Sequence, residues 1–165
     1  MDHVDSDAKQ KVWDLIEDIQ VAMMTTEGAD GMLHSRPMIA RQADFDGKLW
    51  FFARLGSDKT DEISEEGHVN LAYADPGRNN YVSVSGQARI RRDRDLIHSL
   101  WSELARTWFP KGADDPEICV IEVDVDHAEY WDAPSNAMVM AFGYAKARLT
   151  GEPARPGQHG RLDIH

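Results

Sequence analysis

Leu49-Trp50-Phe51-Phe52-Ala53-Arg54-Leu55-Gly56-Ser57-Asp58-Lys59 decides how this chain is read. It predicts an aromatic-rich strand that runs through a glycine turn into the first turn of a helix. A helix start leaves backbone N–H groups without intrahelical acceptors and carries the positive end of the peptide dipoles. With the Ser57 hydroxyl and the Lys59 ammonium beside them, these groups suit an anion such as a phosphate, next to a flat apolar strand. Strand alternation sends Trp50 and Phe52 to one face and Phe51 to the other. From the residues alone, Trp50, Phe51 and Phe52 either flank a planar ring or fill the core, the core being the usual place for strand aromatics, and Ser57 and Lys59 are the candidate anion contacts.

Upstream, His34-Ser35-Arg36-Pro37-Met38 puts a second cation on a neighbouring strand. Arginine offers a bidentate fork and lysine a point charge, a pair that can meet one phosphate. The alternative is two solvated surface cations, and local spacing does not separate the two readings.

Around these segments the chain reads as strands joined by turns. Val12, Leu15, Ile16 and Ile19 share one face of a helix over 7–20, with Ser6 or Asp5 as N-cap. Strands are expected over 21–26 and 32–41, the second confined to an edge or bulge by Pro37. Asp46-Gly47 is a hairpin signal leading into a strand over 48–54. A short helix over 57–66 stops at Gly67, and strands follow over 68–74 and 81–91. Gly86, on the apolar side of the second, marks a bulge or a close backbone approach. An amphipathic helix is expected over 94–108, a strand over 118–126 with 128–131 as its continuation or its turn, and a helix over 136–148. After Thr150 the tail is rich in Gly and Pro without periodicity. The pattern lacks the regular alternation of a doubly wound sheet. It predicts a mainly β fold, an antiparallel barrel or sandwich with peripheral helices, in one domain over 1–150 followed by a tail over 151–165.

Eighteen Lys and Arg against 29 Asp and Glu give a net charge of −11 over 165 residues. That balance argues against nucleic acid and anionic membrane surfaces, both of which need a cationic face. No apolar run approaches the roughly 20 residues of a membrane span, and the acidic start is unlike a secretory signal. A single cysteine fits a reducing compartment. The expected location is cytoplasmic.

No two of the seven histidines stand at a metal-ligand spacing with each other or with Cys119, so no metal is expected. Cys119, on the apolar face of its strand, reads as buried and inert. No nucleophile elbow, Walker loop or dinucleotide fingerprint is present, and no base–nucleophile couple stands out. Trp131, in Glu129-Tyr130-Trp131-Asp132 at a strand end, is either a stacking platform or a core residue.

One ordered set of motifs spans nearly the whole chain. It comprises Met24-Thr25-Thr26, Ser35-Arg36-Pro37-Met38, Leu49-Trp50-Phe51-Phe52, Ser57-Asp58-Lys59, His68-Val69-Asn70-Leu71, Tyr81-Val82-Ser83-Val84-Ser85-Gly86, Leu100-Trp101, Trp108-Phe109-Pro110 and Glu129-Tyr130-Trp131-Asp132. Over about residues 8–151 it resembles the general stress protein 26 branch of the pyridoxamine 5′-phosphate oxidase-like, FMN-binding split-barrel family. The resemblance implies a six-stranded antiparallel Greek-key split β-barrel and a homodimer with flavin at the interface. It implies that Arg36, Ser57 and Lys59 bind the FMN phosphate. Arg36, Pro37 and Met38, with Phe51, Phe52 and Ala53, would line the ring and ribityl. Tyr81 would be a polar flavin contact, and Trp131 would approach the flavin of the other subunit. The chain ends Gly160-Arg161-Leu162-Asp163-Ile164-His165, out of register with the Arg and His motif by which true pyridoxamine phosphate oxidases grip substrate phosphate. This argues against that reaction.

The expectation is therefore an FMN-binding general stress-type protein, with FAD as the alternative flavin. It would be a flavin-dependent oxidoreductase acting with a small-molecule electron donor or substrate. The rival is a non-enzymatic flavin-binding or redox-sensing stress protein. A deazaflavin or haem in the same barrel is a third reading: His34 is the one nearby residue that keeps haem open, and the acidic chain offers few cations for a polyglutamyl deazaflavin tail.

Overall fold

β5 (Asn80–Arg91) and β6 (Ile118–Asp132) pair antiparallel over nearly their whole length, and the rest of the chain is arranged about them. The computed structural model describes residues 2–42, 44–65, 67–132, 137–153 and 158–164. On one side, β5 carries β4 (His68–Asp75), then β1 (Val21–Glu27), then β2 (Leu33–Ile39) at the edge. On the other side, the first half of β6 pairs with β3 (Lys48–Arg54) and the second half with β7 (Gln158–Asp163). All of these pairings are antiparallel.

The sheet is open but strongly curled. Just past β2, Arg41 N donates to Trp50 O at 2.9 Å, and the Gln42 amide joins Lys48 O and Trp50 N. The two edges of the sheet thus touch over a few residues and leave a seam. Helix α1 (Asp2–Ile19) supplies Val12, Leu15 and Ile16 to the core inside the curl. They pack with Met24, Leu49, Phe51, Leu71, Tyr73, Val82 and Ile121. Each such side chain taken fully out of water contributes roughly 1.5–3 kcal/mol.

Gly86 is the predicted bulge. The register slips between Ser85 and Gly86, and a Cβ at Gly86 would lie 2.2 Å from Asp124 O. Pro37 does sit in an edge strand.

Four expectations change. Among the described residues there are seven strands rather than six, because residues 158–163 pair with the half of β6 that β3 does not reach. Asp46-Gly47 turns the chain, with Gly47 at φ 104°, but β2 and β3 do not pair. The chain crosses the seam there, so β3 adds to β6. The helix expected over 94–108 breaks into α3 (Arg94–Leu100) and a 3₁₀ turn over Glu103–Thr107, because Trp101 adopts an extended backbone and packs on Phe52. Finally, Trp50 and Phe52 lie outside the curl. Phe52 joins Ile97, Ala105, Phe109 and Val120 in a second cluster beneath α3, and Phe51 takes the inner place.

Candidate functional site

The seam holds a cavity of about 470 Å³. β3 contributes Phe52, Ala53 and Arg54, and the end of β2 contributes Pro37, Met38 and Ile39. Arg41 comes from the seam crossing, Ser57 and Lys59 from the start of helix α2 (Asp58–Glu65), and Trp108 and Phe109 from the end of the 3₁₀ turn. The walls are mainly apolar and the polar groups are mainly cationic.

The local sequence explains this placement. Gly56 takes φ 74°, a left-handed value open to glycine, and lets β3 turn directly into α2. Ser57 Oγ donates back to Arg54 O at 2.9 Å, and Ser57 O accepts from Thr60 N at 3.0 Å, so the helix opens at the cavity wall. Of the N–H groups of its first turn, that of Asp61 also reaches Ser57 O, at 3.1 Å, while those of Asp58 and Lys59 have no backbone acceptor among the described residues.

Lys59 is half-buried and, among the described residues, makes no hydrogen bond or ion pair. Burial, and then the neighbouring Arg36 guanidinium, hold its ammonium below the ordinary value. Arg36 lies behind the cavity wall. Its Nη1 donates to Thr26 Oγ1 at 2.5 Å and its Nη2 to Glu62 Oε2 at 3.4 Å. The Thr26 hydroxyl also donates to Glu62, and His34 Nδ1 stands 2.9 Å from Glu62 Oε1. The Thr26 hydrogen bond, helped by His34 and Arg36 and opposed by burial, keeps the Glu62 carboxyl below its usual range.

Arg41 is the second cation of the cavity without a hydrogen bond or ion pair from its side chain among the described residues. Its Nε is buried without a partner, its Cζ lies 5.7 Å from the Phe52 ring centroid, and burial lowers its pKa. Arg54 differs, being tied to Asp115 at 3.6 Å and Glu117 at 3.5 Å while it covers the Phe109 ring. A buried donor without an acceptor costs about 1–3 kcal/mol. Two unmatched cations beside a helix start, at the rim of an apolar slot, suit a ligand with an anionic end and a flat apolar body.

Of the residues expected from sequence, Pro37, Met38, Phe52, Ala53, Ser57 and Lys59 come together as cavity wall, with Arg36 just behind. Phe51 is fully buried in the inner core and turns away from the cavity. Tyr81 and Trp131 face each other across β5 and β6, at the far end of β6 from Val120, the partner of Phe52. Trp131 is 39% exposed and stacks on His159 at 5.2 Å. Within one chain these two are separate from the cavity. Sequence reading missed Arg41, Arg54, Thr26 and Glu62. Glu62 had a signal, since it stands three residues after Lys59 on a helix and so shares its side. Arg41 had none, because it lies past the end of β2, where alternation stops.

Among the described residues no group of three His, Cys, Asp or Glu is placed to hold a metal ion, and no helix is long and apolar enough to cross a membrane.

The family model for pyridoxamine 5′-phosphate oxidase-like proteins matches residues 7–154. Protein bli-3 of Neurospora crassa is 31% identical over 143 residues, covering 81% of this chain and 68% of that protein. Among solved structures, a general stress protein 26 from Jannaschia sp. CCS1 superposes with a TM-score of 0.73 at 24% identity, over 97% of this chain and 99% of that one. The general stress FMN/FAD binding protein of Xanthomonas citri superposes with a TM-score of 0.67 at 27% identity, over 77% and 89%.

Proposed function

The chain belongs to the pyridoxamine 5′-phosphate oxidase-like family, and from that premise we propose that its seam cavity binds a flavin, FMN in the first instance. The observation that carries this reading is Lys59 at the start of α2, without a hydrogen bond or ion pair among the described residues, beside Arg36 and opening on an apolar slot. Lys59, Arg36, Ser57 and the first N–H groups of α2 would hold the phosphate. Phe52, Met38 and Pro37, with the backbone at Ala53, would bound the ring system, and Arg41 would bring a cation against it. FAD would use the same phosphate contacts and carry its adenylate outward. The bound flavin supplies hydride or electron transfer; the protein supplies position and charge.

Homodimer formation belongs to the same reading. The outer face of the sheet exposes Val21, Met23, Leu33 and Ile39, an apolar strip of the kind that marks an interaction site. A second copy on that face would bring its Trp131 and Tyr81 to the cavity. We also read the strand order β4-β5-β6-β3 as the Greek-key crossing of a split barrel, and the protein as a cytoplasmic one.

One observation favours the non-enzymatic alternative. Among the described residues, those lining the cavity include no carboxylate, histidine or thiol to move a proton. A test is the visible spectrum of the purified protein, before and after added FMN, followed by NADH or NADPH under anaerobic conditions. Flavin absorbance or quenched FMN fluorescence is expected. A colourless protein that leaves FMN fluorescence unchanged would overturn the cofactor reading. Repeated bleaching and reoxidation identifies an oxidoreductase, and a flavin that stays oxidised with every donor identifies a binder.

A further inference from the structure

Helix α4 (Ala137–Thr150) is inserted between β6 and β7 and has no extensive packing against any other described element. Its composition suits a helix packed against another surface. Residues 137–142 are an unbroken apolar run in the sequence, and a helix of such composition is normally buried. Tyr144 is 68% exposed and Leu149 86%. A helix of 14 residues is marginal in water without packing.

The same chain carries a second uncovered apolar surface of matching length. On the outer face of the β1–β2 hairpin, Val21 pairs with Ile39, Met23 with Pro37 and Glu27 with Leu33. From Ile39 to Leu33 the strip runs about 20 Å at strand spacing, and α4 spans about 21 Å. The charges also match. The described part of α4 ends in Lys146 and Arg148 and contains no carboxylate, whereas the protein carries −11. At the Leu33 end, the β1–β2 strip is flanked by exposed Glu27 and Asp30.

We propose that α4 is an exchanged arm that lies along the β1–β2 outer face of a second copy. Its first turn would stand at the Val21–Ile39 end, beside the cavity mouth, and Lys146 and Arg148 would meet Glu27 and Asp30. The proposal rests on the homodimer reading above. That reading sets the direction of the helix, because α4 follows Trp131 closely in the chain. The cavity of each copy would then be closed at its rim by the helix of the other.

The test is sedimentation equilibrium of the full chain. Lys146→Glu with Arg148→Glu should raise the dimer dissociation constant roughly tenfold or more, and Glu27→Lys added to that pair should recover most of the loss. Both changes are at exposed positions, so helix content by circular dichroism should not move. A second measurement needs no variant. Amide hydrogen exchange over 137–150 should slow as wild-type protein is concentrated past its dimer dissociation constant. An intact dimer in which α4 exchanges rapidly, or in which the charge reversals change nothing, would overturn the arm while leaving flavin binding standing. A flavin-binding monomer at all concentrations would overturn both the arm and the dimer. Binding of wild-type protein to phosphatidylcholine–phosphatidylserine vesicles, abolished by Lys146→Glu with no change in the dimer, would assign α4 to a membrane surface and overturn the proposal. Dimers that respond to the charge reversals but never take up FMN would uphold the arm and sink the flavin reading alone.

Discussion

Glu62 and Lys59 stand three residues apart on one helix and divide the work of the site between them. Glu62 Oε2 accepts from Arg36 Nη2 at 3.4 Å and fixes that guanidinium behind the wall, whereas Lys59 has no acceptor among the described residues. One cation is positioned by the protein and the other is left for a ligand. Because Arg36 depresses the Lys59 ammonium, an anion placed between them removes a repulsion as well as making two contacts.

The first prediction separates phosphate from ring. Lys59→Ala should weaken FMN by roughly 10–100-fold, the 1.5–3 kcal/mol of a hydrogen bond to a charged group, and should weaken riboflavin much less. Arg36→Ala combined with it should widen the difference. Fluorescence titration of both ligands gives the answer. Equal losses for FMN and riboflavin would show that Lys59 and Arg36 do not meet the phosphate.

Glu62 carries a pH dependence whose sign follows from its surroundings. Its carboxyl is held below the ordinary value of 4.5, first by the Thr26 hydrogen bond and then by His34 and Arg36 against the opposing cost of burial. A carboxyl depressed in the folded state contributes stability that is present above its unfolded pKa. That stability is lost as pH falls through the lower folded value. Urea unfolding should therefore show the wild type losing an increment below about pH 4.5 that Glu62→Gln lacks. The same variant frees Arg36, so at pH 7 its FMN affinity should change through position rather than through loss of the cation. Parallel stability curves for the two proteins between pH 7 and 3 would contradict this account.

Much of this arrangement can be read from the chain, and the failures have particular causes. The passage from Phe52 through Gly56 to Lys59 fixes a strand, a left-handed turn and a helix start, and all three are present. Strand β7 was hidden because its signal is pairing rather than composition. A Cβ at Gly160 would come within 2.4 Å of the Tyr130 ring, so the glycine that made the tail look like a loop lets it pair beside Tyr130. Trp101 sits in a sequence with helical spacing, yet its ring packs at 5.8 Å from Phe52 and the backbone extends there to reach it. Arg41 depends on the seam closing through the Trp50 carbonyl, a long-range contact that no local pattern announces.

Gly86 tests the bulge. A methyl group there would meet Asp124 O at 2.2 Å and its carbonyl carbon at 3.0 Å, both backbone atoms that side-chain motion cannot clear. Gly86→Ala should lower the unfolding free energy by about 1–3 kcal/mol, seen as a lower urea midpoint. Glycine to alanine at Gly77, where the nearest neighbour is an Asp75 side-chain oxygen at 3.4 Å, is the control and should cost much less. A Gly86→Ala protein as stable as wild type would mean that β5 and β6 are free to separate at this point.

Arg41 offers the sharpest separation between a structural and a binding role. Among the described residues its Nε is buried without a partner, and burial opposes its charge, so the folded apo-protein gains little from the guanidinium beyond its contact with the Phe52 ring. Arg41→Leu keeps an apolar stem of similar reach and removes the unmatched donor. The apo-protein should unfold at an unchanged or higher urea concentration, while FMN affinity falls by about tenfold, the 1.4 kcal/mol of one net contact. Arg41→Lys, which restores charge without the planar fork, should recover only part of the affinity. If Arg41→Leu is destabilised and still binds FMN at wild-type strength, Arg41 holds the seam together through the Phe52 stack and takes no part in the ligand site.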